Sequence, residues 1–166
     1  MRQAPLSACD WIASRNAPSL AEAEIRAVGV AGAPTTGAVE AMASARDSGR
    51  RVAVVSNNSA DCVHAYLAAQ GLSGAIEAVV GRPTLRPDLM KPSPQPLLEA
   101  AAILGVSPER SALVGDSVTD IEAARAAGAG SIGFANKPGK EEALTAAGAS
   151  VVVTEMGSIA HSFRAT

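Results

Sequence analysis

The sequence predicts an α/β fold, a three-layer sandwich on a parallel, doubly wound sheet. Three observations lead there. Short apolar runs such as RVAVVSN (Arg51 to Asn57) alternate with helix-length segments of about ten residues, the signature of βαβ units. That run is continuously apolar rather than alternating, as in strands covered on both faces. Glycines punctuate the helical segments at Gly49, Gly71 and Gly105, where helices stop.

The elements follow in order. Pro18-Ser19 with Glu22 reads as a helix start, Ser19 capping and Glu22 in the capping-box position. This helix runs to about Val28 and breaks in GVAGAPTTG. A second helix, GAVEAMASARDSG, carries Val39 and Met42 at helical spacing and ends at Gly49. The strand at residues 51–57 follows, then a helix from Ser59 to Gln70 and a short strand from Ala75 to Val80. The segment GRPTLRPDLMKPSPQP is a proline-rich loop. Beyond it come a helix (Pro96 to Leu104), a strand (Ser111 to Val114) and a helix (Thr119 to Ala127). The chain ends with a strand (Ser131 to Ala135), a helix (Lys140 to Ala147), a strand (Ser150 to Val153) and a last helix.

A chain of 166 residues favours one domain with one core, and 48% hydrophobic against 18% charged residues marks it as globular rather than disordered. A net charge of -2 offers no basic surplus for nucleic acid or an anionic membrane, and 2% aromatic residues cannot make base-stacking platforms. No stretch approaches the roughly 18 apolar residues of a membrane span. The start, MRQAPLSACDWIAS, lacks the apolar region of a signal peptide. Cys9 and Cys62 match no metal spacing and read as reduced thiols of a cytoplasmic protein.

In parallel sheets of this kind ligands bind beyond the carboxyl ends of the strands. Ser56 and Asn57 (VAVVSNN), Asp116 and Asp120 (GDSVTD) fall there, and Lys91 (MKPSP) lies in the proline-rich loop. A hydroxyl, an ammonium and two carboxylates on one sheet edge suit a phosphate beside a hard divalent cation. The hydroxyl and nearby N–H groups hold phosphate oxygens, lysine neutralises developing charge, and carboxylates favour Mg²⁺.

These three segments, in this order, resemble motifs II, III and IV of the haloacid dehalogenase (HAD) superfamily, mostly phosphatases, from about Pro34 to the chain's end. Within it the chain looks most like the phosphoglycolate-phosphatase-like group, whose cap is inserted between motifs I and II. The resemblance implies that Ser56 binds the transferring phosphate with the Asn57 backbone beside it, and that Lys91 bridges nucleophile and phosphate. Ser56 and Lys91 are thus the catalytic candidates. Asp116 would be a Mg²⁺ ligand, and Asp120 a second ligand or the group orienting metal-bound water. The substrate would be a small phosphorylated metabolite.

One departure from the family is large. Motif I, a buried strand ending in Asp-x-Asp, supplies the nucleophile and the general acid/base, and nothing upstream of Ser56 matches it. Asp10 follows no strand and has Ile12 where the second Asp belongs; Asp47 ends a helix. Residues 1–33 therefore resemble the remnant of a helical cap, truncated before its first half, and residues 34–166 the core domain without its first central strand. Loss of nucleophile and acid together is expected to abolish phosphomonoester hydrolysis, since losing one member of a catalytic unit costs about 10⁴ to 10⁶ in rate. In the family that strand lies between the Ser56 and Asp116 strands. Its loss predicts a slot or direct closure of the sheet, a slot being filled by another segment, by a second chain, as a homodimer or by strand donation in trans, or by collapse of the sheet. The alternatives are a non-catalytic pseudo-enzyme that binds phosphate or a partner protein, and a receiver or nucleotide-binding domain of the same architecture. A receiver carries its acidic pair early, where this chain has none.

Several other features have simpler readings. GAGSIG (Gly128 to Gly133) is a helix stop and strand entry, since a dinucleotide fingerprint needs the strand first. Ser117 and Thr119 are expected to cap the following helix, and His64 and His161 to be surface or packing residues. Asn136, Lys137 and Lys140 in the NKPGK loop either line the substrate entrance or form a solvated turn. Arg82 and Arg86 either meet a substrate anion or are simply exposed.

Overall fold

The computed structural model describes residues 19–164. Cys9 and Asp10 lie outside these residues. The described chain runs α1 (Leu20–Val28), α2 (Ala38–Asp47), β1 (Ala53–Val55), α3 (Ala60–Ala69), β2 (Ala78–Val80), α4 (Gln95–Leu104), β3 (Ala112–Gly115), α5 (Val118–Ala127), β4 (Gly130–Phe134), α6 (Lys140–Ala146), β5 (Val151–Val153) and α7 (Met156–Arg164). All strand pairings are parallel, as the continuous apolar runs require.

Helices cover both faces. On one, Leu97 of α4 and Ala124 and Ala127 of α5 pack against Val55 of β1 and Leu113 of β3. Ile121 of α5 and Leu144 of α6 continue this layer and are fully buried, each contributing about 1.5–3 kcal/mol by leaving water. On the other face Ala41 of α2 and Ile159 and Ala160 of α7 pack beneath Ile132 of β4 and Val153 of β5. The period of two is visible within β4 and β5. Ile132 and Val153 face α2 and α7, whereas Gly133 and Val152 face Leu144 on α6. The core is built largely of alanines, which lets helices approach the sheet closely.

The sheet is split. β1 pairs with β2, β3 with β4 and β4 with β5, and no backbone hydrogen bond joins β1 to β3 among the described residues. Direct closure, one of the two expected outcomes, does not occur. β1 and β3 nevertheless share the α4–α5 cover through Val55 and Leu113, so their open edges flank a gap. In a parallel ladder alternate residues turn their N–H and C=O to the same neighbour. Ser56 N donates to Val80 O and Glu77 N to Val52 O, which turns Ala53 and Val55 away from β2. Gly130 N donates to Ser111 O, which turns Ala112 and Val114 away from β4. Val114 is 39% exposed, unusual for a valine between two helical layers.

The helix starts follow their local chemistry. Ser19 and Glu22 form the expected capping box on α1. Gly128 closes α5 at φ +76° and β4 starts two residues later, so GAGSIG is the expected stop and entry. α1 buries none of its residues and is held by polar contacts instead. Glu24 accepts from Ser59 N at 3.0 Å and pairs with Arg82 at 2.5 Å, and Tyr66 Oη donates to Gly32 O at 3.1 Å. The Arg82 guanidinium holds the Glu24 carboxyl down at about 2, against the burial that would raise it.

Candidate active site

Ser56 stands one residue beyond β1, its N–H still bonded to Val80 O at 2.9 Å, and its Oγ accepts from Asn58 N at 3.1 Å. That turn places the hydroxyl and the Asn57 main-chain N–H at the strand's carboxyl end. Asn57 has a role that its position alone does not reveal. Its amide nitrogen donates to Lys91 O at 3.3 Å and its Oδ1 accepts from Lys91 N at 3.0 Å. The side chain thus clamps the main chain of Lys91, whose peptide bond to Pro92 is cis.

So held, Lys91 extends across the gap. Its Nζ donates to Val55 O at 3.2 Å, on the open edge of β1, and meets Asp120 Oδ1 at 2.6 Å. Both side chains are largely buried, at 14% and 7% exposure. Asp120 Oδ1 has no aligned hydrogen bond, so the ammonium is its sole compensation. The other oxygen, Oδ2, accepts from Ser117 N at 3.1 Å and Ser117 Oγ at 2.7 Å, while Asp120 N donates to Ser117 Oγ at 3.2 Å. Ser117 is therefore the cap of α5 and Asp120 completes a capping box. Thr119 contributes only through its hydroxyl contact with Ser117 Oγ at 2.8 Å. Gly115 is required here, because a Cβ on it would overlap the Asp120 carboxyl group.

Asp116 is approached from β4 and α6. Lys140 Nζ donates to Asp116 O at 2.8 Å and also engages Oδ2, and Asn136 Nδ2 donates to Oδ2 at 3.1 Å. These donors hold the Asp116 carboxyl below the ordinary carboxylate range, Lys140 having the largest effect. Two residues of the NKPGK loop thus belong to the site, whereas Lys137 is exposed without such a contact to Asp116. Arg82 is taken by Glu24 and Arg86 by Asp88, and His64 and His161 are exposed.

The fold thus assembles two half-sites, Ser56, Asn57 and Lys91 on the β1 side and Asp116 and Asp120 on the β3 side, joined by the Lys91–Asp120 ion pair. As the side chains stand, they do not fit a divalent cation. Each carboxylate is already matched by an ammonium, and no group of three His, Cys, Asp or Glu capable of holding a metal occurs among the described residues.

A family model of haloacid dehalogenase-like hydrolases matches residues 11–128. The chain is 40% identical over 91 residues to the phosphoglycolate phosphatase of Nitrosococcus oceani, covering 55% of this chain and 40% of that one. To the phosphoglycolate phosphatase of Aquifex aeolicus it is 40% identical over 83 residues, covering 50% and 38%. It therefore spans about two fifths of the length of these curated relatives. Among solved structures, a haloacid dehalogenase-like protein of unknown function from Agrobacterium tumefaciens superposes with a TM-score of 0.76 at 29% identity, over 97% of this chain and 71% of that one. A HAD family hydrolase from Deinococcus radiodurans, with bound phosphate and sodium, gives 0.68 at 31% identity, over 76% and 57%. The ordered motifs, the two-faced parallel architecture and the family match over most of the chain agree: this chain belongs to the haloacid dehalogenase-like hydrolases.

Proposed function

We propose that this chain forms the phosphate-binding part of a phosphomonoester hydrolase of the phosphoglycolate phosphatase type, and that by itself it binds phosphate without turning over an ester. The observation that carries this reading is the Lys91 ammonium, held by the Asn57 clamp between the open edge of β1 and Asp120. Ser56 Oγ, the Asn57 main-chain N–H and this ammonium are the donors a phosphate dianion needs. The named relatives support 2-phosphoglycolate or a small phosphorylated metabolite like it as the ligand.

The absence of turnover follows from the carboxylates. A covalent nucleophile must stand beside the phosphate with a proton donor nearby. Asp116 and Asp120 are both engaged by lysines, and no Asp-x-Asp occurs in the sequence. The open edges of β1 and β3 support the addition of a parallel strand bearing the missing carboxylate pair, donated by a second chain or another segment. Mg²⁺, which the family resemblance implies, enters no step derived from these residues.

Calorimetric titration with inorganic phosphate, together with hydrolysis of an aryl phosphate in the presence of Mg²⁺, tests this reading. Phosphate binding that weakens in Ser56→Ala, with no turnover above an Asp116→Ala control, is expected. Turnover that vanishes in the control would mean that a carboxylate of this chain, or of a second copy, acts as nucleophile. Phosphate binding indifferent to Ser56 would overturn the site itself.

A further inference from the structure

We infer that α1 is a positioning element for the phosphate-binding turn, acting through Glu24 and Arg82, so that anion affinity and the docking of α1 rise and fall together. The inference rests on the reading of Ser56 as a phosphate donor.

Arg82 holds two carbonyls of the turn that follows β1. Its Nη1 donates to Asn57 O at 3.2 Å and its main-chain N–H to Asn58 O at 2.6 Å. Asn57 O and Asn58 N belong to one planar peptide unit, so fixing the oxygen fixes the direction of the N–H. That N–H donates to Ser56 Oγ at 3.1 Å. A hydroxyl that accepts in this way keeps its own proton to donate to an anion. The Asn57 side chain meanwhile clamps the main chain of Lys91. The Ser56 hydroxyl and the Lys91 ammonium therefore both hang on a residue that Arg82 steadies from outside the site.

Arg82 in turn is steadied by α1. Glu24 Oε1 accepts from Nη1 at 2.5 Å and Oε2 from Nη2 at 3.3 Å, a two-pronged pairing that sets the plane of the guanidinium. The same Oε2 accepts from Ser59 N at 3.0 Å, so Glu24 also grips the turn directly. The Arg82 and Glu24 side chains are 21% and 13% exposed, sheltered from the water that loosens surface pairs. A Cβ on Gly81 would overlap the main chain of Ala60, so the chain leaving β2 bears closely on the same turn. Arg86, on the same loop, instead pairs with Asp88 in solvent.

The docking of α1 is conditional. The helix buries none of its residues and is tied down by the polar contacts of Glu24, with Tyr66 Oη on Gly32 O holding the loop after it. An element held so lightly has docked and undocked states close in free energy, and a ligand that favours one of them shifts the balance. By reciprocity, what α1 adds to phosphate affinity, phosphate adds to the docking of α1.

Calorimetric titration with inorganic phosphate, paired with hydrogen exchange of the α1 amides, tests this. Arg82→Met should weaken phosphate binding about tenfold and Glu24→Gln about threefold, while Arg86→Met should bind like the parent. Arg82→Lys keeps the charge without the fork and should fall between the parent and Arg82→Met. Saturating phosphate should slow exchange in α1 of the parent and leave it unchanged in Arg82→Met, a linkage that a merely structural ion pair would not produce. Circular dichroism shows that each variant is folded at the temperature of titration. Parent-like affinity in both Arg82→Met and Glu24→Gln, with binding still dependent on Ser56, would overturn the inference alone. Tighter binding by Glu24→Gln would also overturn it, by making Arg82 an anion ligand that Glu24 holds back. Exchange in α1 of the parent that ignores phosphate would remove the linkage. No binding of phosphate by the parent would overturn the reading of Ser56 and the inference with it.

Discussion

Replacing Lys91 with methionine keeps most of the side-chain volume and removes the charge that joins the two halves of the site. The structure gives the expected loss. Asp120 Oδ1 has only the Lys91 ammonium, at 2.6 Å, and its side chain is 7% exposed. Removing one member of a buried pair costs about 3–5 kcal/mol, because the other charge is left uncompensated. Two features pull the value to the low end. Oδ2 keeps both of its Ser117 bonds, and Val55 O, the other acceptor of Lys91, lies on an open strand edge where water can replace the ammonium. A loss of about 3 kcal/mol is therefore expected, or a fall in Tm of about 6–12 °C for a domain of this size. Urea unfolding of the parent, Lys91→Met, Asp120→Asn and the double variant measures it. The double variant should be more stable than the sum of the single losses predicts, by at least about 1 kcal/mol, since no buried charge is stranded in it. A Lys91→Met loss below about 1 kcal/mol, or strictly additive losses, would refute the buried-pair reasoning.

Three further outcomes are expected. The Glu24 carboxyl lies at about 2 in the fold against 4.5 when free, so its contribution is complete above pH 4.5 and is lost as the pH falls towards 2; at neutral pH that contribution is on the order of 3 kcal/mol. Urea midpoints of the parent and Glu24→Gln should differ at pH 7 and converge near pH 2, and a difference that ignores pH would show that the Arg82 contact does not anchor α1. Gly115→Ala should lower stability by about 1–3 kcal/mol through its overlap with Asp120, as read from the thermal midpoint; an unchanged midpoint would mean that the Asp120 carboxyl moves freely. Ser117→Ala removes the cap of α5 and both partners of Asp120 that its hydroxyl provides. It should cost about 1–2 kcal/mol in urea, and a neutral effect would show that Lys91 and the main-chain N–H of residue 117 suffice to hold Asp120.

The split sheet bears on how such a domain behaves in solution. Two strand edges that face each other without pairing are a template for a third strand. Ala53 and Val55 on one side and Ala112 and Val114 on the other turn their backbone groups into that gap, and Lys91 reaches only Val55 O. Sedimentation velocity over a range of concentrations would reveal strand exchange between copies as a reversible dimer.

What the sequence determined by itself is whatever is written within a turn or two of chain. The alternation of apolar runs with helical segments gave the α/β class, because the periods of strand and helix are local properties of side-chain direction. The cap of Ser19 with Glu22, the cap at Ser117 and the helix stop at Gly128 are equally local. Ser56 and Asp116 were legible for the same reason, each directly following a strand, and strand ends in a parallel sheet point to one edge; Asp120 sits in the first turn of the next helix. What only the tertiary structure decided are the partners. Glu24 meets Arg82 across 58 residues, Asn57 clamps Lys91 across 34, and Lys140 reaches Asp116 across 24. None of these pairs carries a spacing that a reader of the chain could use. Each depends on which strands lie side by side and on how far the crossovers carry the chain before it returns. The NKPGK loop could be read as entrance or solvated turn because its distance from Asp116 is set by the pairing of β3 with β4, a long-range register that no local pattern encodes.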